Sequence, residues 1–134
     1  MAISNIKATF SNDIHLILDI VTSPNNYIWR SDLERIEVLE EGKVFIEHTK
    51  DGHSTTFTIT VFEPTKRYEF DMENKNMKGH WVGHFSRFNG QTVIDFTEDV
   101  KVKRLLMKPF VKMYLRKQQA NYIKDLRKYL ERTQ

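Results

Sequence analysis

Glu98 is the residue whose type and placement could do chemistry. The dipeptide Asn89-Gly90 suits the two positive φ angles of a type I′ hairpin turn. Pairing Phe88 with Gln91 then makes Phe85 face Ile94, Gly83 face Phe96 and Trp81 face Glu98. In that register Glu98 is a lone carboxylate on an apolar face. Burial there raises a carboxyl pKa, which suits the group to acid or base work or to holding a ligand hydroxyl. The other reading is a structural ion pair with Arg67 or Arg30.

Further polar candidates are Gln118 and Gln119, two amides in the middle of an apolar helical stripe, able to hydrogen-bond into a cavity. The other reading places them at the edges of the stripe. Trp29, Phe57, Ile59, Tyr68, Phe70, Trp81, Phe85, Phe96, Leu115 and Tyr122 could line a cavity for a small hydrophobic molecule, or simply form the core. Gly79 and Gly83, among bulky neighbours on the inward face, either bend their strand or leave room for a guest. The opposite face sets His84 against Asp95 and His80 against Asp99, two cross-strand pairs worth little if exposed. His80 and His84 stand roughly 13 Å apart on a strand at about 3.3 Å per residue, too far to share an ion, so no metal is expected. The chain has no Cys, no Gly-x-Ser-x-Gly and no glycine-rich phosphate loop, so nucleophile and cofactor motifs are missing and no cofactor is expected.

The elements that position these residues read as strand over 2–10, helix after a Ser11 cap, and a stop at Pro24. Ile14, Ile17, Leu18 and Val21 share one face of that helix. A second short helical turn is expected around Ser31 to Arg35. From Ile36 the period changes to two, giving strands 36–40, 43–49, 54–62, 66–73, 77–88 and 91–103. The loop at 63–66 gathers Phe57, Ile59, Val61, Tyr68, Phe70 and Met72 on one face. For 36–40 and 43–49 the turns leave open whether Phe45 or Ile46 points inward. A long amphipathic helix from Met107 to Gln134 closes the chain, with Pro109 near its start. Val111, Leu115, Tyr122, Leu126 and Tyr129 fall in one arc of it at about 100° per residue.

At 134 residues and 16.0 kDa the chain is read as one domain, 1–134, with an ordinary 40% hydrophobic and 29% charged residues. The net charge of +3 is segregated: residues 1–100 carry 10 Lys/Arg against 16 Asp/Glu, whereas residues 101–134 carry 11 against 2. The basic helix is read first as a solvated face, and alternatively as a docking surface for anionic membrane, RNA or protein; nucleic acid is not the expected partner. No basic stretch followed by an apolar run opens the chain, and no run approaches the roughly 18 apolar residues of a membrane span. A cytoplasmic protein is the expectation.

The order strand, helix, short helix, six antiparallel strands and long C-terminal helix resembles the START/Bet v 1/polyketide-cyclase superfamily. The wording resembles it too: Tyr27-Ile28-Trp29 after Pro24, then Glu63-Pro64 leading to Arg67-Tyr68, and Gly79-His80-Trp81 leading through Asn89-Gly90 to Phe96-Thr97-Glu98. The resemblance implies an α+β helix-grip fold, a seven-stranded curved antiparallel sheet wrapped around a long C-terminal helix, with two short helices between the first two strands. It implies a binding protein for a small hydrophobic or amphipathic molecule held between sheet and helix. The alternative it implies is a cyclase, aromatase or dehydratase, for which Glu98 is the candidate acid or base. It brings no catalytic residue of its own.

Overall fold

The computed structural model describes residues 2–132, so the Thr133-Gln134 end of the expected helix lies outside the described residues. β1 (Ala2–Phe10) leads to α1 (Ile14–Thr22), and six strands follow: β2 (Leu33–Glu40), β3 (Val44–Thr49), β4 (Ser54–Glu63), β5 (Arg67–Glu73), β6 (Met77–Phe88) and β7 (Gln91–Val102). A 3-10 helix, Leu105–Phe110, then enters α2, Val111–Arg132. All seven strands form one antiparallel sheet in the order β1-β7-β6-β5-β4-β3-β2. From β2 to β7 each strand pairs with the next in the chain, and β1 adds beside β7, so β1 and β2 are the two edges.

The hairpin at Asn89-Gly90 forms as its residue types demand, with φ of 52° and 76°. Its register is the expected one from Phe88↔Gln91 to Met77↔Val102, so Trp81 faces Glu98 and Gly83 faces Phe96. Alternation then puts Trp81, Phe85, Ile94, Phe96 and Val100 into the core. In β3 it is Phe45 that turns inward, opposite Phe57, and Ile46 that does not.

Five local expectations are corrected. The cap of α1 is Asp13, whose carboxylate accepts from the His15 N–H at 2.9 Å, so the helix starts after Asp13 and not after Ser11. No second helix follows: residues 24–32 are turns, and β2 already begins at Leu33. Ser31, where that helical turn was expected to begin with a serine or aspartate as cap, gives its N–H and hydroxyl to Asp125 of α2 at 2.8 and 2.7 Å. A bulge between Ile59 and Val61 pairs Val61 with Glu69, so Val61 leaves the inward set and Phe62 comes beside Tyr68 at the rim. The long helix is 3-10 from Leu105 to Phe110 and α only from Val111. Its core stripe is Val111, Leu115, Gln119, Ile123, Leu126 and Leu130, with Tyr122 and Tyr129 half-buried beside it.

Candidate functional site

The interior between sheet and α2 is built from one aromatic row ending in charge. Phe45 stacks on Phe57 at 5.0 Å, Phe57 meets Phe70 edge-on at 5.0 Å, and Phe70 stacks on Trp81 at 4.7 Å. Trp81 packs on Phe96 at 4.6 Å, and Phe96 reaches Tyr122 of α2 at 6.0 Å. Each step from Phe45 to Phe96 is a cross-strand or diagonal neighbour in the sheet, so the register that pairs the strands also lines up the rings. Trp29 completes the wall, edge-on to Tyr122 at 5.1 Å.

Two carboxyl groups are set into this row. Glu47 follows inward-facing Phe45 by two residues, and Arg30 reaches it with both guanidinium nitrogens at 3.3 Å while also bonding Asp32 at 3.1 Å. The same guanidinium lies over the Tyr122 ring, 4.8 Å from its centroid. Burial alone would lower the Arg30 pKa; the charges of Glu47 and Asp32 more than offset that, and Arg30 stays a cation. Glu98 is 9% exposed, and its Oε2 has no hydrogen-bond partner. Burial, reinforced by the charge of Glu47 and only partly opposed by Arg30, pushes its pKa up to about 7. Burial also raises the Tyr68 phenol to about 12 and the Tyr122 phenol further, so both keep their protons.

Neither ion pair considered for Glu98 forms. Arg30 is committed to Glu47 and Asp32, and Arg67 lies on the opposite face with Glu63 and Glu69 at 3.1 and 3.0 Å. The expected His–Asp pairs are corrected too. His80 bonds Asp71 and Glu69 of β5, each at 2.7 Å, and Asp99 Oδ1 is left without a hydrogen bond. Asp95 is taken by Asn5 and, at 3.9 Å, Lys7.

The other candidates divide. Phe57, Tyr68, Trp81, Phe85, Phe96 and Leu115 are buried core, and Ile59, Phe70, Trp29 and Tyr122 pack against it. Gln119 is buried inside the stripe, where its carbonyl accepts from the Ser4 hydroxyl at 2.7 Å and its amide donates to the Ser4 carbonyl at 3.1 Å. It ties α2 to β1 with both ends of its amide; Gln118 is half-buried beside it. Gly83 makes room, but for the protein's own side chain: a Cβ there would stand 2.5 Å from the Trp81 indole. At Gly79 a Cβ would stand 2.8 Å from the Asp99 carbonyl and 2.9 Å from a Val100 methyl.

A cavity of about 30 Å³ remains, lined among others by Trp29, Arg30, Phe45, Glu47, Tyr68 and Tyr122. That is space for one or two waters. Glu47 is the site residue that sequence reasoning did not single out, and Arg30 was named only as a possible partner of Glu98. The direction of Phe45 would have carried Glu47 inward with it by alternation; for Arg30, carried in by a loop, only its place next to Trp29 gives a hint.

No family model and no curated protein matches the sequence. Solved structures do match. A START superfamily protein from Mycobacterium smegmatis superposes with a TM-score of 0.85 at 16% identity over 100% of both chains. DynU16, from the dynemicin biosynthetic locus, gives 0.79 at 12% identity over 98% of this chain and 48% of its own. Ara h 8.0201 gives 0.74 at 12% identity over 95% of each chain. The chain has the START/Bet v 1-like helix-grip fold.

Proposed function

We propose that the protein binds a small hydrophobic or amphipathic molecule between the sheet and α2, with its polar end at Glu98 and the Arg30–Glu47 pair. The observation that carries this reading is the unpartnered Glu98 Oε2, buried beside an aromatic wall. A native fold rarely leaves a buried carboxyl unsatisfied without a use for it. With a pKa of about 7, Glu98 keeps its proton in a large share of molecules near neutral pH and in that form can donate to a carbonyl or hydroxyl of the guest; the protonated Tyr68 and Tyr122 phenols add donors. Apolar contact would supply affinity at about 25 cal/mol per Å² buried.

With about 30 Å³ free, the guest must displace packing. The Trp81 indole, seated in the room that Gly83 leaves, is the side chain such a guest would displace. Binding therefore requires the core to open, and the guest's own apolar contacts must offset the ring–ring contacts it displaces.

The test is thermal unfolding with a panel of long-chain fatty acids, sterols and polycyclic ketones, alongside native mass spectrometry of gently purified protein. A saturable rise in Tm with one chemical class, reduced in Glu98→Gln, is expected. No shift with any class and a mass equal to the bare chain would overturn the reading. A second reading, an enzyme of cyclase or dehydratase type, is favoured by the raised Glu98 pKa alone. It requires that Glu98→Gln abolish turnover of a molecule it still binds.

A further inference from the structure

The 3-10 helix and the first turns of α2 gather large apolar side chains in solvent. Leu105, Leu106, Phe110 and Met113 are 85%, 88%, 65% and 70% exposed, and Tyr114 is 49% exposed. Singly exposed apolar residues are ordinary on a protein surface; a contiguous run marks a contact. Leu105, Leu106, Phe110 and Met113 pack into no core cluster. Val111, Leu115 and Gln119 face the core; at about 100° per residue Met113 and Lys117 stand on the opposite side of α2, and half-exposed Tyr114 stands on its flank. The 3-10 helix itself buries no residue.

The same stretch is cationic without exception. Lys101, Lys103, Arg104, Lys108, Lys112, Arg116 and Lys117 interleave with the apolar residues, and no Asp or Glu occurs from 101 to 124. We propose that residues 103–117 dock on an anionic lipid surface, with Leu105, Leu106, Phe110 and Met113 entering the acyl boundary and the Lys and Arg side chains at the level of the phosphates. Apolar tips ringed by cations of a single sign are what an anionic bilayer interface selects. A second copy of this chain would bring like charges against like. RNA would use rings to stack on, whereas the most exposed side chains here are leucines. No helix among the described residues is long and apolar enough to cross a membrane, so the contact is peripheral. This inference does not rest on the interior site, and either can fail alone.

The test is co-sedimentation of the full chain with vesicles of phosphatidylcholine, with and without about 30% phosphatidylserine. Binding to the anionic vesicles is expected, weakening steeply toward about 0.5 M salt. Leu106→Ser/Phe110→Ser leaves the charge unchanged and should weaken binding at least about tenfold. Lys108→Glu/Lys112→Glu should weaken it comparably and flatten its salt dependence. All four positions are exposed, and an unchanged circular dichroism melt checks that each variant folds. Any of four results overturns the proposal: no sedimentation; equal binding to neutral vesicles; a serine variant within about twofold of the parent; or tighter capture of a single-stranded RNA or an acidic peptide than of anionic vesicles. A solution dimer that the serine variant dissolves would overturn it as well.

Discussion

The two faces of the sheet treat the same kind of residue in opposite ways. On the outer face of β5 and β6, Glu69 lies 3.0 Å from Arg67 and 2.7 Å from His80, Asp71 lies 2.7 Å from His80, and Glu73 lies 2.8 Å from Lys103. Water and a cation are both at hand, and Lys103 holds the Glu73 carboxyl below its usual range. On the inner face Glu47 takes the Arg30 guanidinium, and buried Glu98 pairs with no cation, its pKa raised to about 7. The difference is one of solvation and not of residue type. A carboxylate costs little where its charge is answered, and becomes a neutral acid where it is not.

The hardest blow to that contrast is removal of the inner cation. Arg30→Met strands Glu47 in the core and should cost about 3 kcal/mol in urea unfolding. Arg67→Met on the outer face should cost under about 1 kcal/mol, because that pair is half in water. Equal costs would erase the distinction between the faces.

Next in size is Glu98. Its folded pKa of about 7 lies above the ordinary 4.5, so the folded state holds a proton that the unfolded chain gives up first. Stability from this group is intact below pH 4.5 and falls as pH rises to about 7, then stays flat. Glu98→Gln, which cannot ionise, should therefore be more stable than the parent by about 3 kcal/mol well above pH 7, and equal to it near pH 4. A constant offset between the two across pH would mean Glu98 is ionised in the fold.

The smallest effect belongs to His80. Burial pulls its pKa down, but Glu69 and Asp71 more than offset this and raise it above 6.5. Its stabilisation is present below pH 6.5 and lost as pH climbs past the raised value. With over a third of the side chain in solvent, His80→Gln should cost only a few tenths of a kcal/mol at pH 5.5 and nothing at pH 9, and added salt should shrink the cost. Salt-insensitive loss at pH 5.5 would show that the outer face is no more screened than the inner one.

The strand register was legible wherever turn chemistry was unambiguous. Asn89-Gly90 admits one tight turn, and the pairing of β6 with β7 follows from it residue by residue, Trp81 against Glu98 included. At the bulge before Val61, nothing in the sequence marks the extra residue, so the inward set was right for Phe57 and Ile59 and wrong one step later. Ser31 shows a second kind of limit. Its local pattern offers a helix cap, but Asp125, far along the chain, claims the same donors.

By itself the sequence determined the sheet, the long closing helix, the polarity of β6 and β7 and the inward direction of Glu98. All of these follow from local period and turn geometry, which act between near neighbours. Only the tertiary structure decided which charge meets which. Arg30 could have answered either Glu47 or Glu98, Gln119 could have faced a guest or Ser4, and Gly83 could have left a hollow or received an indole. Such choices depend on distances between elements brought together only by packing, and periodicity along one segment carries no information about them.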